Sequence, residues 1–178
     1  MRKRKSIRNT GTAAKRKRIT QAVIFRFVRT RDVWAFAQEI PQIPEWVTVQ
    51  ANVPGFGTVR ADYIWSDEDS GASNFATRRI FRIPKGFRVE RAVLLLSVDN
   101  YARVFINGRI IVFDPPNQNV TNFSVGRRIR IDPSIFRTGP GKRNSITIRA
   151  VNFPFPSRRT PANPAGVAAL LLFRLRRI

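Results

Sequence analysis

From residue 58 to the C-terminus, apolar residues recur at every second position in short runs, and no long stretch repeats at helical spacing. Period two marks a half-buried strand, because successive side chains point to opposite faces. The pattern is plainest at the end, where Val167, Ala169, Leu171, Phe173 and Leu175 alternate with Arg174 and Arg176 turned the other way. Residues 144–151 place Ile146, Ile148 and Ala150 on one face, and residues 125–131 separate Val125, Ile129 and Ile131 by arginines. Residues 91–98 hold the run Val93-Leu94-Leu95-Leu96, suited to a central strand. Strands at 101–106 and 109–113 flank Asn107-Gly108, a hairpin signal because both central residues of a type I′ turn need φ > 0. Further strands are expected at 60–65 and 75–83, the second ending at Pro84-Lys85-Gly86. Many short strands between Gly and Pro turns specify an all-β sandwich or jelly roll.

The first 57 residues are organised differently. Residues 1–18 hold nine basic residues and no acidic one: Arg2, Lys3, Arg4, Lys5, Arg8, Lys15, Arg16, Lys17 and Arg18. Such a block cannot bury enough apolar surface to order itself, so a disordered or extended arm is expected. Its chemistry suits phosphates or an acidic neighbouring subunit; as a bare tail it would serve solubility alone. Residues 19–57 read as an extended, strand-containing connector, with strands expected at 22–28, 33–36 and 47–53. Pro41 and Pro44 exclude regular helix or central strand between the last two. This connector could wrap its own body or pair with a neighbour's edge, and the sequence leaves both open. The expected division is an arm at 1–18, a connector at 19–57 and a β-sandwich domain at 58–178.

Charge narrows the partners. The chain carries 33 Lys+Arg against 11 Asp+Glu, a net +22. Arginine dominates that excess, and guanidinium forks bind phosphate or carboxylate in pairs and stack on rings. A codon preference can favour Arg over Lys but does not explain the net sign. Attraction to nucleic acid, anionic surfaces or acidic proteins follows.

Several chemistries are missing. With no Cys and no His, thiol catalysis, disulfides, Cys/His zinc sites and imidazole acid–base work are excluded. The acidic cluster Asp67-Glu68-Asp69 reads as a solvated surface turn, without the alternating positions of a calcium loop. No cofactor, metal or catalytic residue is expected. No apolar run reaches the ~18–20 residues that span a bilayer. No apolar stretch follows Arg2–Lys5 as it would in a secretory signal, so neither a membrane span nor a signal is expected.

Four segments together resemble a known group. Tyr63-Ile64-Trp65, the run from Phe75 to Pro84, the run from Arg91 to Tyr101, and Val104-Phe105-Ile106-Asn107-Gly108 resemble galactose-binding-like jelly-roll domains. In particular they are similar to accessory domains of α-L-rhamnosidases and related glycoside hydrolases, and to modules of phage and bacterial surface proteins. Residues 144–152 and Ala165-Gly166-Val167 fit the final strands of that pattern, so the resemblance covers about residues 60–178. It implies the fold; the group includes sugar binders, spacers and assembly pieces.

A glycan site on this fold would use Trp65, Tyr101 and Phe153 as aromatic platforms with Asp99, Asn100 and Asn152 as polar partners. Trp65 equally suits the core, and in similar domains the positions of Asp99-Asn100 shape a turn. Outside the arm, Arg128 with Arg130 and Arg174 with Arg176 share strand faces and can form basic stripes. The leading expectation is a non-enzymatic structural or assembly protein, a virion or phage component (capsid, decoration or tail/fibre). Its partners would be neighbouring subunits and, through the arm, nucleic acid. The alternatives are a carbohydrate-binding module at a cell or spore surface, and a nucleic-acid-binding protein of the cytoplasm.

Overall fold

The computed structural model describes residues 22–115 and 122–178. The nine basic residues of the arm, Arg2 to Arg18, therefore lie outside the described residues. The rest is a sandwich of two antiparallel sheets. One sheet runs in the order β10 (Arg127–Ile131), β7 (Phe87–Asp99), β12 (Gly166–Arg177), β5 (Ile64–Ser66), β2 (Ala37–Glu39). The other runs β6 (Asn74–Phe81), β11 (Asn144–Val151), β8 (Tyr101–Ile106), β9 (Arg109–Phe113). The β8–β9 hairpin turns at Asn107 and Gly108, with φ of 51° and 83°, as a type I′ turn requires.

Strand β12 organises the first sheet. One edge pairs with β7 along its length; the other pairs with β1 (Val23–Arg29) and, through Val167, with Ile64 of β5. Leu170 and Leu171 point to opposite faces and are both fully buried. Both faces of this sheet are therefore covered at the middle of β12. On the inner side Phe173 meets Phe81 of the second sheet at 5.5 Å and Phe136 at 5.1 Å, while Trp65 stacks on Phe75 at 4.8 Å. These ring pairs join the two sheets.

The connector makes the outer cover. The hairpin β3 (Gln50–Val53) and β4 (Gly57–Arg60), which straddles the expected end of the connector, buries Val53 and Val59. Trp46 and Tyr63 lie 4.4 Å apart between ring centroids. The Tyr63 hydroxyl shares hydrogen bonds with Ser97 Oγ of β7 at 2.5 Å and the Val47 carbonyl at 2.9 Å. Trp46 occupies the space above Gly166 so closely that a Cβ there would sit 2.6 Å from its ring. Residues 22–57 thus pack on their own chain, partly as an added strand and partly as a third layer.

Three expected strands come out differently. Residues 33–36 are a connecting segment that follows a turn at 30–32, fastened by the Trp34 indole N–H donating to the Arg29 carbonyl and by the Arg29–Asp32 pair; only Ala35 bridges to a strand, at Arg78. Residues 60–65 divide, because Arg60 pairs in the outer hairpin while Ile64 pairs in the sheet below. Val125 ends a short helix, α1 (Asn122–Val125), and is exposed; Gly126, at φ 72°, turns the chain into β10.

Candidate polyanion interface

Among the described residues, the outer face of the second sheet is left open. Along it lie Arg78 and Ile80 of β6, Thr147 and Arg149 of β11, Tyr101, Arg103 and Phe105 of β8, and Ile110 and Phe113 of β9. Strands β6, β8, β9 and β11 contain Arg78, Arg79, Arg103, Arg109 and Arg149 and no Asp or Glu. Arg103 and Arg149 stand directly opposite each other. Like charges in that position repel. Each guanidinium lies instead over a ring: Arg103 is 4.6 Å from the centroid of Phe113, and Arg149 is 5.7 Å from that of Phe105. Phe113 and Phe155 are more than half exposed, at 55% and 56%. Phe155 overhangs a depression of about 440 Å³ lined also by Asn74, Tyr101, Arg103 and Arg149.

A second basic area occupies the end of the first sheet that the connector leaves bare. Arg128 and Arg130 do share one strand face, opposite Leu95 and Val93. With Arg91 they have no acidic or hydrogen-bonding partner among the described residues. Arg174 and Arg176 are different: both are bound by Glu90, Arg174 at 2.9 Å. Arg91, Arg128 and Arg174 surround a depression of about 290 Å³ floored by Phe25, Val93 and Leu172. Arg127 turns away from this face and grips Asp114 with both nitrogens, at 2.6 and 2.8 Å. The acidic turn is tied internally, with Arg158 2.9 Å from Asp69.

The six residues considered for a glycan site fall at one end of the sandwich, mostly inside it. Trp65 has no exposed surface and donates from its indole to the Ala72 carbonyl at 3.0 Å. Asp99 is buried and accepts from Trp46 Nε1 at 2.9 Å. Burial raises its carboxyl above the usual range, against the pull of hydrogen bonds from Trp46 and Asn100. Asn100 accepts from the Phe153 backbone N–H at 2.7 Å, and Asn152, wholly buried, donates weakly to the Ser157 and Asn163 carbonyls. These side chains stitch the loop at 152–163 to the sheet. Of the six, Tyr101 alone borders the open depression, with burial raising its phenol.

Sequence reading passed over Arg103, Phe105, Phe113, Arg149 and Phe155. A signal for most of them was present. Tyr101, Arg103 and Phe105 alternate, and Arg149 falls on the opposite face from Ile146, Ile148 and Ala150. Phe155 carries no such pattern, because it sits in a loop.

The architecture is that of a galactose-binding-like, all-β jelly roll. A similar fold occurs in the alpha-L-rhamnosidase of Streptomyces avermitilis, solved with L-rhamnose, at 21% identity over 62% of this chain with a TM-score of 0.50. The match spans only 10% of the rhamnosidase chain, and at this identity it establishes the fold alone. A family 35 carbohydrate binding module from Clostridium thermocellum aligns over 83% of this chain and 96% of its own, at 12% identity and a TM-score of 0.41. No family model and no curated protein matches the sequence.

Proposed function

We propose that this chain is a non-enzymatic structural or assembly protein, a component of a virion or phage particle, that engages a polyanion through its surface arginines and its basic arm. The reading divides the chain into the arm at 1–18, the connector at 19–57 and the sandwich at 58–178. One observation carries it: among the described residues, arginines on both outer faces stand without acidic partners, Arg91, Arg128 and Arg130 on one and Arg78, Arg103 and Arg149 on the other. Arginines held this way gain little for folding and much from a polyanion, whose condensed counterions they release as they neutralise its phosphates. Among the described residues, no group of three His, Cys, Asp or Glu side chains could hold a metal, and no helix is long and apolar enough to cross a membrane.

Size-exclusion chromatography with light scattering and the 260/280 nm absorbance ratio tests this, on the full chain and on one starting at Ile19. The expected outcome is large or nucleic-acid-bearing material for the full chain and a marked reduction for the shorter one. Two clean monomers would remove the proposal's support. A second reading, a carbohydrate-binding module at a cell surface, draws on the depression between Tyr101 and Phe155. There Trp65, Asp99, Asn100 and Asn152 would hold the loops rather than touch sugar. It predicts a saturable, salt-insensitive affinity for one glycan on an array.

A further inference from the structure

We infer that the open face of the four-stranded sheet is a platform for single-stranded nucleic acid, read by stacking rather than by sequence. This rests on the polyanion reading above and specifies the partner and the surface. Three features of the face converge on it.

The first is the charge. Arg103 and Arg149 are held directly opposite each other on adjacent strands, with Arg78 on the third strand beside Thr147. No acid on these four strands relieves the repulsion. An arrangement that costs the free protein stability becomes favourable once phosphates lie between the guanidiniums.

The second is the interleaving of rings with those charges. Arg103 covers Phe113 and Arg149 approaches Phe105, so each guanidinium is held over a ring. Bases stack on guanidinium planes and on aromatic rings alike, and every base has such a face, so the contact tolerates any sequence. Phe113, beyond the part that Arg103 covers, and Phe155 are each more than half exposed and offer ring surface to solvent. Between Phe155 and the sheet, the depression of about 440 Å³ has the size of a small-molecule site and takes one splayed base.

The third is what the face lacks. Specific reading of a duplex needs an element that enters a groove, and this broad strand surface presents none. A second copy of the chain is a poorer occupant, because 33 basic residues against 11 acidic ones make two copies repel each other as wholes. A neutral glycan would use the rings but leave the opposed arginines uncompensated.

The experiment uses the 178-residue chain and a fluorescent oligo-dT of about a dozen nucleotides, with polyphosphate as a stack-free competitor. Phe113→Ala and Phe155→Ala leave the charge unchanged. Each is expected to weaken oligo-dT binding by about tenfold while polyphosphate binding stays constant. Arg149→Gln is expected to weaken both and to flatten the salt dependence. Photocrosslinking from an oligonucleotide carrying 5-iodouracil should label peptides around Phe113 and Phe155, a readout that does not depend on any variant folding. Oligo-dT binding equal to wild type in both Phe variants, with crosslinks only to residues 1–18, overturns the platform while leaving the polyanion reading standing. No salt-sensitive binding by the unaltered chain sinks both. Loss of self-association in the Phe variants with intact DNA binding makes the face a subunit contact and overturns the inference.

Discussion

On the outer side of the first sheet, Ser97, Gly166 and Leu170 lie beneath Trp46, Tyr63 and the β3–β4 hairpin; on the outer side of the second, Thr147, Arg103 and Arg149 meet solvent. Both surfaces are made of paired antiparallel strands, so the backbone does not distinguish them. Side chains do. Small and aliphatic residues on the first leave room for an indole and reward its burial at roughly 25 cal/mol per Å². Arginines on the second would have to be stripped of water with no acid on these strands to receive them, which makes covering that face costly. Among the described residues, then, one face is closed over much of its area by chain from residues 22–60, and the other carries charge in place of a cover.

The largest test of that contrast is truncation on each side. Trp46→Ala removes the ring above Gly166, the stack on Tyr63 and the donor to Asp99, and should cost about 3–5 kcal/mol in urea unfolding. Phe113→Ala, on the open face, should cost less than about 1 kcal/mol. Equal losses would mean that the connector is not part of the core.

Gly166→Ala probes the same closure with one methyl group. Its Cβ would lie 2.6 Å from Trp46 Cη2 and 3.0 Å from Ile40 Cδ1, so the cover must lift, at about 1–3 kcal/mol. A neutral substitution would show a cover loose enough to accommodate it.

Alkaline pH should also separate the two sides. Burial pushes the Tyr63 phenol up to about 12, partly offset by its hydrogen bond to Ser97. The folded value lies above the unfolded one of ~10, so Tyr63 contributes stability that is complete below pH ~10 and lost as the pH rises through about 12. Denaturation curves should weaken across that window, and less so in Tyr63→Phe. An identical slope in that variant would assign the loss to other groups.

The smallest effect concerns the open face. Arg103→Gln removes half of the opposed pair and should raise stability by about 0.5 kcal/mol at low salt, the gain fading near 1 M as screening shortens. A loss instead would mean that the stack of Arg103 on Phe113 outweighs the repulsion.

Much of the architecture was legible in the alternation alone. The β8–β9 hairpin and β11 occupy the expected residues, and β12 extends the expected strand by a residue or two at each end. The failures at 33–36, 60–65 and Val125 share a cause. Each is an apolar stretch whose partner lies in another layer or in a turn, and local pattern cannot say which layer a residue will meet. The candidate site was less legible. Asp99, Asn100 and Asn152 are polar residues near a loop end, a pattern that suits ligand contact and internal hydrogen bonding equally, and only the structure shows that all three are buried.

The sequence by itself determined the all-β class, the strong positive charge and the absence of thiol and imidazole chemistry, because periodicity, charge and composition are local properties. Tertiary structure alone decided that the connector closes one face, that Trp65 and Asn152 are interior, and that Arg103, Arg149, Phe105 and Phe113 share one surface. Those facts depend on strand order and register between residues tens of positions apart. Only the pairing of β8 with β11 and β9 sets Arg149 across from Arg103 and Arg103 across from Phe113.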